Sequence, residues 1–147
     1  MGLATTDAED RVEQLLALTE RLTALLQSET AAFEARRPHE AAATVDESAR
    51  LANVYRHESA RVRREPSLIG EASPEARMRL VGATVRFDAV LQRHERALLA
   101  AKTITEGIVR AVAEEIASTR VSPAAYGPGA KSSGGGAATA ITLNRRA

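Results

Sequence analysis

Three amphipathic helical patterns run through this chain, and the third is far too long for the other two. It extends from about Ser73 to Arg120 and keeps an apolar stripe throughout. At about 1.5 Å of rise per residue it spans roughly 70 Å, against roughly 45 and 40 Å for its neighbours. An antiparallel bundle built from these pieces therefore leaves about 30 Å of apolar-faced helix without an intramolecular partner. The expected fold is all-α: an antiparallel, up-down-up three-helix bundle with a long protruding third helix and a flexible C-terminal tail.

The 147 residues allow one domain, expected over residues 1–120, and a tail over residues 121–147. Phe33, Tyr55, Phe87 and Tyr126 are the only aromatic side chains, too few for the dense core of a compact enzyme. Abundant Ala, Leu, Glu and Arg favour helix and bundle packing instead. A net charge of +1 gives no global field that would draw in nucleic acid or an anionic membrane. The chain has no cysteine, which removes disulfides, zinc thiolates and thiol nucleophiles. Residues 1–11 carry no basic and apolar run of the secretory kind, and no apolar run approaches the length of a membrane span. A cytoplasmic protein without membrane insertion is the expectation.

Helix 1 is expected over residues 5–36, with Thr6 and Glu9 as a capping box. Leu15, Leu18, Leu22, Leu25, Glu29 and Ala32 form its stripe, and Pro38 is expected to end it. Helix 2, over residues 39–65, repeats the spacing with Ala41, Val45, Ser48, Ala52, Tyr55, Ser59 and Val62. A short loop, Pro66 to Ala72, leads to Ser73-Pro74-Glu75, a strong helix start. Helix 3 then carries Leu80, Thr84, Phe87, Leu91 and His94, and Gly82 and Gly107 weaken it by about 1 kcal/mol each. Axial counting puts Tyr55 level with Phe87, and Phe33 near Leu98 and Leu99. Beyond Val121 the periodicity stops, and five of the nine glycines fall between Gly127 and Gly136. That stretch is expected to be flexible.

The chain offers little chemistry. His57-Glu58-Ser59-Ala60-Arg61 follows a helical zinc motif only until Arg61, where a second His is needed. The carboxylate-x-x-His spacing of di-metal bundles is missing, because residues 54 and 91 are Val and Leu. His94 falls in the apolar stripe and reads as a hydrogen-bonded core or boundary residue. Gly134-Gly135-Gly136 lacks the Lys and Ser/Thr of a phosphate loop. No catalytic, metal or cofactor site is expected, and hence no enzyme. Arg56, Arg61, Arg63, Arg64, Arg77 and Arg79 gather at one end of the bundle with Asp7, Glu9, Asp10 and Glu13. Without aromatic stacking nearby they read as salt-bridging residues and not as a nucleic-acid patch.

The far end of helix 3 is the candidate site. Leu98, Ala101, Ile104, Thr105, Ile108, Val109, Val112 and Ile116 share one face, with Lys102, Glu106, Arg110, Glu114 and Glu115 largely elsewhere. A partner protein's helix, a second copy of the chain, or a fold-back after Gly107 would each cover it.

Three features together resemble FlgN-type flagellar export chaperones, including divergent alphaproteobacterial versions. They are the Leu-rich opening helix around Leu15-Leu16-Ala17-Leu18, the basic break Arg36-Arg37-Pro38 before a small-residue helix, and the long closing helix. That last helix leads to Ala125-Tyr126-Gly127-Pro128-Gly129 and a tail ending Ile141-Thr142-Leu143-Asn144. The resemblance implies a cytoplasmic chaperone that holds hook-associated, hook-filament junction proteins and delivers them to the flagellar type III export gate. It implies partner binding by Leu98, Ile104, Ile108, Val112 and Ile116, with Tyr126 as a contact for the export apparatus. The chain departs from better-known members in carrying Arg50 within helix 2 and His94 in the last helix.

Overall fold

The computed structural model describes residues 2–121, which form four helices in chain order: α1 (Ala8–Glu34), α2 (Pro38–Arg64), α3 (Ser67–Gly70) and α4 (Pro74–Val121). Among the described residues there is no strand. The tail expected beyond Val121, with Tyr126, lies outside the described residues.

The cap of α1 differs from the expected one. Asp7 is the N-cap, and its carboxylate accepts the Asp10 N–H at 2.8 Å. Asp10 in turn accepts the N–H of Thr6, not that of Asp7, at 2.9 Å, so the cap sits one residue further along than Thr6–Glu9 and is not a reciprocal box. Glu9 is thereby released to cross to α4, where it accepts the Ser73 N–H at 2.6 Å and the Ser73 hydroxyl at 2.9 Å. Those two donors, the backbone N–H foremost, hold the Glu9 carboxyl below its ordinary range. Ser73 itself accepts the Ala76 N–H at 3.2 Å, which makes it the expected cap of α4.

The end of α1 is also set earlier than the proline. Arg36 takes a φ of 58°, the Arg36 N–H donates to Phe33 O, and the Arg37 N–H donates to Ala32 O at 2.8 Å. This pair of bonds closes the helix with a left-handed residue two positions before Pro38. Pro38 instead begins α2, at a position where its missing N–H costs nothing.

The segment expected as a loop between α2 and α4 contains the single-turn helix α3. Pro66 fixes φ at −61° at its start. Ile69 packs against the buried cluster of Val12, Ala72 and Ala76. A turn of four residues is too short to show helical periodicity.

Side-chain contacts give the direction of each helix. Arg11 to Glu58 (2.9 Å), Arg21 to Glu47 (2.8 Å) and Thr44 to Glu29 (3.0 Å) run α1 and α2 antiparallel. Glu13 pairs with Arg79, Glu20 with Arg86 at 3.7 Å, and Glu34 with Arg93, so α4 starts out alongside α1 in the same direction. The main apolar cluster joins all three: Leu22, Leu26 and Phe87 are buried, with Leu51, Ala52, Tyr55, Val90 and Leu91 against them. Tyr55 and Phe87 meet at 4.8 Å between ring centroids, the level that axial counting gave. Phe33 meets the His94 ring at 5.9 Å, one turn before the expected Leu98 and Leu99.

The inner face of α2 keeps the expected Ala41, Ser48, Ala52 and Tyr55 and departs from the expectation at Val45 and Glu58. Val45 is exposed, whereas Ala41, Ser48 and Glu58 are buried. Thr44 and Glu58 are held by Glu29 and Arg11 of α1, which turns Thr44, Ser48, Leu51, Tyr55 and Glu58 inward. Polar anchors override the apolar count at Val45. The chain divides into two compact units, the first ending at Arg110 and the second beginning at Ala111.

Candidate partner-binding face

In the far part of α4 the threonine hydroxyls are satisfied by carbonyls of their own helix. Thr103 donates to Leu99 O and Thr105 to Ala101 O, both at 3.0 Å. Lys102 and Glu106 lie 3.8 Å apart on successive turns, an exposed pair of small value. Gly107 lies within the continuous helix, and a Cβ added there meets only open space. No fold-back follows it within the first unit: Gly107, Ile108 and Val109 are all exposed.

In the first unit the expected face is laid bare from Leu98 onward. Leu98 is 47 % exposed, Ile104 47 %, Ile108 60 % and Val109 64 %, while Ala101 is half-buried. In the second unit Val112 and Ile116 are exposed as well. An isolated exposed leucine is ordinary, but large apolar residues recurring at three- and four-residue intervals on one helix are not. Tyr126, the remaining expected contact, lies outside the described residues.

His57, His94 and Arg56 each have a side-chain partner among the described residues. No group of three or more His, Asp or Glu side chains there could hold a metal ion. The part-motif at His57-Glu58 serves another purpose. Glu58 is fully buried, takes Arg11 at 2.9 Å, and accepts the Leu3 N–H at 3.1 Å. Arg11 also reaches Thr5, so the segment before α1 is tied down over the ends of α1 and α2. Sequence reasoning missed this pair, since Arg11 and Glu58 stand on different helices and neither falls at an expected stripe position.

His94 is a boundary residue, as its place in the stripe suggested. Its Nδ1 lies 3.1 Å from the Thr30 hydroxyl and its Nε2 3.9 Å from the buried Glu29 carboxylate. Thr30 donates its own proton to Leu26 O, so it accepts from the imidazole. The expected salt-bridging of the arginine cluster is realised at Arg79 with Glu13. Arg56 donates to Asn53, and Arg63 and Arg64 to backbone carbonyls of their own helix. Among the described residues no helix is long and apolar enough to cross a membrane.

No family model matches the sequence, and no solved structure matches it. Among known proteins the chain is 52 % identical over 149 residues to the flagellar basal-body protein FlbY of Caulobacter vibrioides, with 100 % of each covered.

Proposed function

Because the chain belongs to the family of the flagellar basal-body protein FlbY, we propose that it is a cytoplasmic export chaperone of the flagellum. The observation that carries this reading is the exposure of Leu98, Ile104, Ile108 and Val109 on α4 in the first unit, with Ala101 half-buried beside them, and of Val112 and Ile116 in the second. A helical segment of an exported flagellar component lies along that face and is shielded from premature assembly. The resemblance to FlgN-type chaperones names hook-associated proteins as the cargo, the type III export gate as the destination, and Tyr126 as a gate contact. Burying about 600 Å² of apolar surface yields a gross ~15 kcal/mol at ~25 cal/mol per Å². Association and ordering offset much of it, which leaves binding tight enough to hold and weak enough to release.

The test is co-purification of the full chain with the hook-associated proteins of the same cell. Ile108→Asp with Val112→Asp should abolish a stoichiometric complex while far-UV circular dichroism stays unchanged. Undiminished binding by that double variant overturns the proposal. The relative's name favours a second reading, a structural place in the basal body itself. Recovery of the chain in stoichiometric amounts with purified basal bodies would decide for that one.

A further inference from the structure

We infer that His94 and Glu29 form an imidazolium–carboxylate pair, and that the proton it holds fastens α4 to α1 and α2 as a pH-sensitive latch. Glu29 is 3 % exposed and sits where the three helices meet. Its Oε1 faces the Thr44 hydroxyl of α2 at 3.0 Å, but Ala41 O competes for the same proton at 3.1 Å. A carboxylate so enclosed, with at best one neutral donor, needs a cation. Among the described residues only His94 comes within ion-pairing reach of it, with Nε2 3.9 Å from Oε2.

The hydrogen bonds of the ring call for its charged form. The Thr30 hydroxyl lies 2.6 Å from Leu26 O, a spacing that ties its single proton to that carbonyl. His94 Nδ1, 3.1 Å from the same hydroxyl, is therefore a donor. A neutral ring with its proton on Nδ1 turns the bare Nε2 toward the Glu29 carboxylate, acceptor against acceptor. A proton on Nε2 converts that contact into an attraction of opposite charges. A proton on Glu29 would not serve, because 3.9 Å is beyond hydrogen-bond reach. Other charges nearby are engaged or turned outward. Glu34 of α1 pairs with Arg93 of α4, Arg37 and Glu40 at the start of α2 pair with each other, and His39, Glu95 and Arg96 are exposed. Phe33 lies against the ring at 5.9 Å between centroids. From Glu95 to Arg110, no side-chain hydrogen bond, ion pair or ring contact joins α4 to another helix among the described residues. The pair is thus the last polar tie of this stretch to the bundle. Unfolding frees the imidazole to lose its proton near about pH 6.5, while the folded chain keeps it. The stability drawn from the pair is present in full below that pH and is lost as pH rises past neutrality. This latch is a property of the chain alone and does not depend on what the exposed residues beyond it bind.

The experiment is nitrogen NMR of the histidine rings in the full chain at about pH 7.5, where most free imidazoles are neutral. The ring that vanishes in His94→Gln should carry a proton on each nitrogen in the wild type. In Glu29→Gln the same ring should carry one. Denaturant midpoints give a second reading. The advantage of wild type over His94→Gln at about pH 6 should fall by roughly half or more by about pH 9. In the Glu29→Gln background the effect of His94→Gln should stay constant over that range, which a merely space-filling role of the ring would give in both backgrounds. Should His94→Gln fail to fold, assignment through the backbone identifies the wild-type ring, and its protonation alone decides. A singly protonated His94 ring in the wild type, or an advantage that stays flat across the pH range, overturns the inference.

Discussion

Among the described residues Glu58 is the most completely enclosed charge, and its partners come from three separate stretches: Arg11, the Leu3 N–H and the neighbouring His57. Such a group is tolerable only while every partner stays in place, because an unpaired carboxylate in that position loses its hydration without return. Arg11→Met should therefore destabilise the chain by about 3–5 kcal/mol, read from the denaturant midpoint. Arg11→Met combined with Glu58→Leu should recover most of that loss, since the burial cost vanishes with both charges. A single variant within about 0.5 kcal/mol of wild type would show that the pair is not sealed from water. None of this was visible in the sequence. Arg11 and Glu58 stand 47 positions apart, and an apolar-period reading ranks charged residues as surface. The cap of α1 was legible only to within a residue for a related reason: Thr6 and Asp7 are both good caps, and the Asp10 N–H decides between them.

Among the elements, the long ones were legible because many residues vote on each. The periodic stripe of α1 recurs in the buried Leu15, Leu18, Leu22, Leu25, Glu29 and Ala32. For α2 the same rule misjudged Val45, where fewer large side chains leave hydrogen bonds to set the rotation. The turn α3 and the left-handed Arg36 escaped altogether, being too local for any period. On α4, Gly107 is a residue whose effect is intrinsic to the helix, since open space surrounds it. Gly107→Ala should stabilise the surrounding turns by about 0.5–1 kcal/mol. Hydrogen exchange over residues 103–112 should slow by up to roughly fivefold, the equivalent of about 1 kcal/mol. Faster exchange would mean that the helix uses the freedom of the glycine and is not merely weakened by it. The candidate face was legible as a pattern on this helix, and its exposure follows from length, which sequence counts directly.

For the whole molecule, the pairing of α1 with α4 depends on carboxylates spread along both helices. Glu9 holds the start of α4 through Ser73, and Glu34 pairs with Arg93 further along. Donation from Ser73 lowers Glu9, the Thr6 N–H lowers Asp10, and the Arg93 guanidinium lowers Glu34, while Glu34 raises Arg93 in return. A carboxyl whose folded pKa lies below its unfolded value stabilises the fold above the unfolded value. That contribution fades as pH falls through the unfolded value toward the folded one. The denaturant midpoint should therefore hold steady between about pH 5 and 7 and decline below about pH 4, where free carboxyls begin to take up protons. Glu9 and Glu34 are exposed and Asp10 is only partly buried, so the decline should be gradual and should shrink in high salt. Glu9→Gln with Glu34→Gln should start lower at neutral pH and lose less on acidification, because two of the three lowered groups no longer titrate. An acid decline of unchanged steepness in that variant would place the pH sensitivity elsewhere, and the contacts between α1 and α4 would then rest chiefly on apolar packing such as that of Leu22, Leu26 and Phe87.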